Sequence, residues 1–365
     1  MKIVDVIMES YEWKRQNPIR NGMYVYDTGG IDLIKILTDE GITGIGLSLG
    51  VMGNVNIGQT ILSHFKKVLI GENPLNSEKI WDNMWQPKLV GRRGITTRII
   101  SGIDIALWDL KGKISGLPLN KLLGGFTDKI PVYIAGGYYQ EGKGLSDLAS
   151  EMEEAVQLGA NAVKMKIGGV SIKDDIERVR VVRETLGGKI DLMVDANCAY
   201  KRYDAIKIAK EIEKYDIFWF EEPINPDDYK GHKIISQSTS IPIATGENEY
   251  TKFGFRDLIE QGNVSILQPD VLIMGGVTEF MKVAAMSQAH EIPIAPHGSQ
   301  DVHIHLVTAI PNGLILEYYA GATDPMYGKT FKYNLEVRDG YVHVPDRSGF
   351  GIEVDEEILL PFRVA

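Results

Sequence analysis

From Pro131 onward the chain repeats one unit: a short apolar run, a helix-length amphipathic stretch, then another run. The runs are Val132–Ala135, Ala162–Ile167, Leu192–Val194, Ile217–Phe220, Ile241–Ala244, Ile266–Leu267, Ile292–Ala295 and Leu314–Leu316. Between them, Lys173–Leu186 carries Ile176, Val179 and Val182 on one side and stops at Gly187-Gly188. Tyr203–Lys214 carries Ala205, Ile206, Ala209 and Ile212 in the same manner. Strands alternating with helices predict a parallel sheet, and a count of eight predicts its closure into a β/α barrel. A doubly wound open sheet shares the alternation, but no dinucleotide fingerprint comes after the first strand.

The 365 residues exceed what one small core needs, so a second, smaller domain is expected. Ile31–Leu37 reads as a strand, followed by a turn at Glu40-Gly41 and a short strand at Ile42–Ile45. The pattern is helical from Asn73 to Leu123. In Ser101–Lys113, Ile103, Ala106, Leu107 and Leu110 form one stripe, and Gly124-Gly125 ends the region. Thr330–Ala365 reads as strands and loops that return to the opening section. The predicted domains are an α+β cap over 1–127, a barrel over 128–325 and a segment over 326–365 that completes the cap. The single cysteine, Cys198, excludes a disulfide framework and fits a reducing cytoplasm. A net charge of −10 argues against a nucleic-acid surface. Membrane spans and a signal peptide are not expected, since no apolar run reaches bilayer length and Asp5 interrupts the first one.

From the second run onward, the chemistry lies at the C-terminal end of each run. Lys164 and Lys166 close the second, Asp195 comes after the third, Glu221 after the fourth, Glu247 after the fifth, Asp270 after the sixth, His297 after the seventh and Glu317 after the eighth. In a barrel those strand ends meet at one mouth. Asp195, Glu221 and Glu247 come from adjacent strands and repel unless a cation sits among them. Three oxygen ligands with room for water or substrate suit Mg²⁺, with Mn²⁺ as a substitute. Any one of these acids alone is as readily a barrel ion pair.

Lys164 and Lys166 are two apart on a strand and share a face. Two ammonium groups side by side lower each other's pKa, so one is expected to serve as a neutral base. Asp270, one strand before His297, can fix the imidazole tautomer and raise its basicity. Glu317 ends an apolar run, where desolvation favours the protonated acid, a hydrogen-bond donor for a substrate carboxylate; a buried pair with a lysine is the alternative. His303 and His305 sit two apart in a predicted helix, on different faces, and are read as structural.

These residues resemble the enolase superfamily, and within it the mandelate racemase subgroup, over nearly the whole chain. The segments carrying the resemblance are Val163-Lys-Met-Lys-Ile-Gly168, Val194-Asp-Ala-Asn197, Trp219-Phe-Glu-Glu-Pro223, Thr245-Gly-Glu-Asn248, Leu267-Gln-Pro-Asp270, Pro296-His-Gly298 and the Ser101–Lys113 helix. The resemblance implies a modified TIM barrel, (β/α)7β, under an α+β capping domain. It implies Asp195, Glu221 and Glu247 as Mg²⁺ ligands, and Lys166 with Lys164 beside it opposing a His297–Asp270 dyad. Glu317 would bond the substrate carboxylate. One departure is Leu47-Ser48, where many relatives carry a Glu near Ser48.

Substrate-reading loops are expected near Arg15–Asp27 and Gly50–Asn56, with Asn197, Tyr24 and Arg20 binding substrate. The implied reaction is Mg²⁺-assisted removal of an α-proton through an enediolate, here as dehydration of an acid sugar (an aldonate or aldarate) to a 2-keto-3-deoxy acid. Racemisation or cycloisomerisation would use the same residues, and a barrel that binds a carboxylate without catalysis is the third reading. The expected partner is a small-molecule carboxylate, and a homo-oligomer is expected by family analogy.

Overall fold

The structure is a computed structural model that describes residues 1–48, 55–86, 91–321, 326 and 328–365. It opens with a three-stranded antiparallel sheet of β1 (Ile3–Arg20), β2 (Val25–Thr38) and β3 (Thr43–Ser48). β1 is not legible as a strand in the sequence, because Glu9, Glu12, Lys14 and Arg15 break up its apolar alternation. It forms because β2 offers it a continuous partner from Ile3↔Thr38 to Arg20↔Val25, with register shifts on the way. The hairpin serves two cores. Val6, Met8, Ile34 and Ile36 pack with helices α1 (Val55–Leu69), α2 (Ser77–Met84) and α3 (Ile95–Ser115). Tyr11, Trp13 and Leu33 instead join the barrel's core.

α3 contains the Ser101–Lys113 stripe, and Ile103, Ala106, Leu107 and Leu110 are all fully buried. It ends at Gly116, whose φ of 68° suits a residue without a Cβ. The strand–helix contact depends on glycine. A Cβ on Gly46 would lie 1.9 Å from the Gly102 carbonyl, and one on Gly44 would lie 2.3 Å from that of Ala106. Gly44 and Gly46 share a face of β3, so the strand lies directly on the helix backbone. The opposite face of α3 reaches the barrel. The fully buried Asp104 accepts hydrogen bonds from the Thr278 N–H (2.8 Å) and hydroxyl (2.6 Å), and Trp108 Nε1 donates to the same hydroxyl at 2.9 Å.

The second sheet runs β10-β4-β5-β6-β7-β8-β9 with parallel neighbours. Its strands are β4 (Lys129–Gly136), β5 (Ala162–Lys166), β6 (Asp191–Asp195), β7 (Ile217–Glu221), β8 (Ile243–Thr245), β9 (Ile266–Leu267) and β10 (Leu316–Tyr319). The expected seventh run, Ile292–Ala295, is reduced to single bridges at Ile294, to Leu267 on one side and Gly313 on the other. Those bridges join β9 to the approach of β10 and close the ring. The last segment first adds β11 (Tyr341–His343) antiparallel to β4 of the barrel, and then returns to the opening sheet. There Val364 N donates to Ser10 O at 2.8 Å, and Lys35 meets Glu356 at 2.9 Å. No helix among the described residues is long and apolar enough to cross a membrane.

The glycine contact makes a direct prediction. Gly46→Ala should destabilise the chain by about 2–3 kcal/mol, because backbone rather than a flexible side chain must give way. Gly188→Ala, with open space around its Cβ, should stay within about 0.5 kcal/mol of the parent. Urea midpoints of the two variants check this; equal midpoints would show that the sheet and α3 can separate at little cost.

Candidate active site

The barrel is filled from inside by Tyr133, Ala135, Ala162, Met193, Trp219, Ala244, Ile266, Ala295 and Ile315. Strand parity dictates what comes next, because residues two apart share a face. One step towards the C-terminal end from Ala162 is Lys164, and a second step is Lys166. From Met193 the step reaches Asp195, from Trp219 Glu221, from Ala295 His297 and from Ile315 Glu317. The alternation that packs the barrel floor therefore aims the ionisable groups into its mouth. Val163, Met165, Val194 and Phe220, of opposite parity, join the outer core under the helices.

Lys164 is fully buried, with Nζ 2.5 Å from Glu221, 2.8 Å from Glu317 and 3.7 Å from Asp195. Lys166 Nζ lies 2.5 Å from Asp195 Oδ2. Burial alone would lower both ammonium pKa values, and Lys164 also lowers that of Lys166. The carboxylates outweigh both effects: Glu221 and Glu317 hold Lys164 well above its ordinary value, and Asp195 raises Lys166. The expectation that adjacency alone frees one lysine as a neutral base is thus corrected. Burial opposes the ionised form of Asp195, yet Lys166 and Lys164 bring its pKa down to about 2. Glu221 is pushed up to about 8 by burial and by Asp195 beside it. Its second oxygen accepts from Trp219 Nε1 (2.9 Å) and Gln268 Nε2 (2.6 Å). Sequence reasoning does not single out the Gln268 amide, although it lies two residues past the inward Ile266 and parity could have found it.

Glu317 corrects a second expectation. Its apolar flanks do desolvate it, but Lys164 and His297 counter burial and hold its pKa at about 2, while Gly298 N–H donates to Oε2 at 2.6 Å. It is an ionised acceptor paired with a lysine, not a protonated donor. His297 Nδ1 lies 3.1 Å from Asp270 Oδ2, and its Nε2 lies 3.7 Å from Glu247. Burial opposes the imidazolium, yet Glu247 and Asp270 hold His297 well above the usual histidine range. His303 braces this corner: its Nδ1 lies 2.7 Å from Gly298 O, and its Nε2 accepts from Val271 N at 3.0 Å. His305 Nε2 lies 3.0 Å from Phe350 O, away from the mouth.

Asp195, Glu221 and Glu247 each place one oxygen within 4.8 Å of the others. Glu247 Oε2 and Asn197 Oδ1 are buried without a hydrogen-bond partner, a cost the fold bears unless something satisfies them. The donors are hard oxygens and the surplus charge is negative, so the set fits a divalent cation such as Mg²⁺.

Above the mouth, a 440 Å³ cavity is roofed by the β1–β2 hairpin and lined by Lys166, Asn197, Glu247 and His297 on its floor. Trp13, Arg15 and Tyr26 are among the hairpin residues that reach it. Two of the expected substrate contacts lie elsewhere. Tyr24 is at the hairpin tip with 60% of its surface exposed. Arg20 donates to Gly169 O at 2.9 Å and stacks on Tyr139 at 4.8 Å, bracing the loop after β5. Ser48 lines the cavity, while Gly50–Asn54 of the second expected loop lie outside the described residues.

Residues 147–358 match the enolase C-terminal domain-like family, and residues 3–124 match the mandelate racemase / muconate lactonizing enzyme N-terminal domain. The chain is 35% identical over 335 residues to the arabinonate dehydratase of Saccharolobus solfataricus, covering 90% of this chain and 89% of that one. It is 35% identical over 332 residues to the L-talarate/galactarate dehydratase of Salmonella typhimurium, covering 90% and 81%. A racemase from Streptomyces coelicolor, solved with bound magnesium, superposes with a TM-score of 0.91 at 32% identity over 99% of this chain and 100% of that one. With both domains matched and the acid triad in place, the chain belongs to the mandelate racemase / muconate lactonizing enzyme family of the enolase superfamily.

Proposed function

We propose that the protein is a Mg²⁺-dependent acid-sugar dehydratase, which removes the proton next to a carboxylate and expels the β-hydroxyl as water. The observation that carries this reading is one acid triad flanked by two proton carriers. Lys166 Nζ lies 2.5 Å from Asp195, and His297 Nε2 lies 3.7 Å from Glu247. The resemblance to an arabinonate and a talarate/galactarate dehydratase supports it. Asp195, Glu221 and Glu247 would hold the ion, and the same oxygens would accept Mn²⁺. Bound Mg²⁺ would supply Lewis-acid charge against the second negative charge that develops on the substrate carboxylate.

The chain's own groups do the rest. With Asp195 engaged as a ligand, the attraction that keeps Lys166 protonated weakens, and the Lys164 ammonium beside it favours the neutral amine. Lys166 then takes the α-proton. Lys164 stays charged between Glu221 and Glu317 and adds positive charge to the floor. His297, protonated by virtue of Glu247 and Asp270, gives its proton to the departing hydroxyl. The C–O bond breaks, water leaves, and the enol product ketonises to the 2-keto-3-deoxy acid. Racemisation would use the same pair with His297 returning a proton to the α-carbon, and the magnesium-bound racemase neighbour favours keeping that second reading.

With Mg²⁺ and a panel of acid sugars in D₂O, the wild type is expected to release 2-keto acid. Lys166→Ala should lose about 10³-fold or more in turnover. His297→Asn should lose product yet still exchange the α-proton, read by NMR. Exchange without water loss in the wild type would shift the assignment to racemase; exchange unchanged in both variants would falsify the two-carrier account.

Metal dependence has a readout separate from turnover. Mg²⁺ at 100 times its Kd should add about 2.7 kcal/mol to the stability of EDTA-treated protein, seen as a rise in Tm. Asp195→Asn should abolish that rise. A wild-type Tm indifferent to Mg²⁺ would remove the triad from the metal assignment.

A further inference from the structure

The floor of the cavity does not distinguish a sugar acid with one carboxylate from a sugar acid with two, and the relatives include dehydratases named for each. The remaining wall does distinguish them. We infer that the substrate is a monocarboxylic sugar acid, an aldonate, and that Asp301 reads its far end by accepting a hydrogen bond from a hydroxyl. This rests on the dehydratase reading above.

Asp301 stands in the first turn of helix α11 (Gln300–Val307; the eleventh α-helix of the described chain), four residues after His297, and lines the cavity. Burial pushes its carboxyl up to about 6, with only its own backbone N–H opposing. It is therefore still mainly ionised at neutral pH, and it has no ion-pair partner among the described residues. The described cations lining the cavity are Lys166 and His297, both on the catalytic floor, and Arg15. Arg15 is already engaged, with Nε donating to Thr28 O at 3.2 Å. Behind Asp301, on the outer surface, Arg338 is paired with Glu336 at 2.6 Å and Arg347 with Glu353 at 3.6 Å. Much of the remaining wall is apolar, with Trp13, Leu272 and Phe331.

A second carboxylate extended towards Asp301 would meet a like charge, which disfavours it. A hydroxyl there finds an acceptor, and the carbon chain between finds aromatic and aliphatic contact. Specificity then comes from repulsion of the diacid as much as from attraction of the hydroxyl.

The test uses matched pairs, galactonate against galactarate and arabinonate against arabinarate, with the Mg²⁺-loaded full chain. Both 2-keto acid release and α-proton exchange in D₂O are measured. The expected kcat/KM is at least 100-fold higher for each aldonate. Asp301→Asn should narrow that ratio at least tenfold, chiefly by raising the aldonate KM and lowering the aldarate KM, and Asp301→Ser should narrow it in the same direction. Aldarates turned over as well as aldonates by the wild type would overturn the proposal and leave the dehydratase reading standing. So would an unchanged ratio in both folded variants. No exchange with either acid type would overturn the dehydratase reading, and this proposal with it.

Discussion

Everything at the barrel mouth depends on a buried charge balance centred on Lys164. A lysine with no solvent exposure stays charged only when carboxylates surround it, and Glu221 and Glu317 do so at 2.5 and 2.8 Å. Once that ammonium is fixed, the states of its neighbours are fixed too. Glu317 is ionised because Lys164 is charged, and its other oxygen is then free to hold the Gly298 N–H beside His297. Lys164, Lys166 and a protonated His297 face Asp195, Glu221, Glu247, Asp270 and Glu317. Burial and the adjacent Asp195 drive Glu221 up to about 8, and acids crowded in this way are the chemistry that a divalent cation answers. The oxygens that suit a divalent cation are thus the same groups around which the proposed chemistry is arranged.

The backbone around this cluster is held away from its resting conformations. Asn197, Cys198 and Glu222 all have positive φ, at 41°, 63° and 40°. Non-glycine residues at such angles persist only where their surroundings overdetermine them. Here the constraint is visible: Cys198 N donates to Glu222 O at 2.8 Å, tying together the ends of β6 and β7. Asn248 Nδ2 meets the Glu222 carboxyl at 2.8 Å, adding the loop after β8. The segments after β6, β7 and β8 are thus bonded to one another, which holds the three acids together.

How much of this the sequence discloses depends on the range of the interaction. Strand parity and helix period are local, so the barrel runs, the α3 stripe and the inward line of Lys164, Asp195, Glu221, His297 and Glu317 are readable without coordinates. The state of those groups is not local. Whether Glu317 is protonated depends on Lys164, more than 150 positions away in the chain, and apolar flanks alone point the wrong way. β1 escapes notice because its alternation is polar-diluted and its stability comes from β2. The seventh strand is visible as a run but survives only as bridges at Ile294, since Pro293 within it and Pro296 just after it lack the N–H that a ladder needs. Arg20 and Tyr24 point to substrate on composition alone, and composition cannot say which way a hairpin residue faces.

The result is a division of labour between elements. The proton carriers and the acids stand on or immediately after barrel strands, where parity and mutual hydrogen bonds leave them little freedom. The groups that meet the rest of a substrate stand on other elements: Trp13, Arg15 and Tyr26 on the capping hairpin, and Asp301 on a helix start. His303 lies between the two sets, since the helix that presents Asp301 also holds Gly298 O and Val271 N through this imidazole. A change in the hairpin can therefore alter which acid fits without disturbing the dyad. A change in α11 cannot be so isolated, because any tilt that moves Asp301 also pulls on the loops of His297 and Asp270. Selectivity at the Asp301 wall is for that reason tied to proton transfer, whereas selectivity at the hairpin is not.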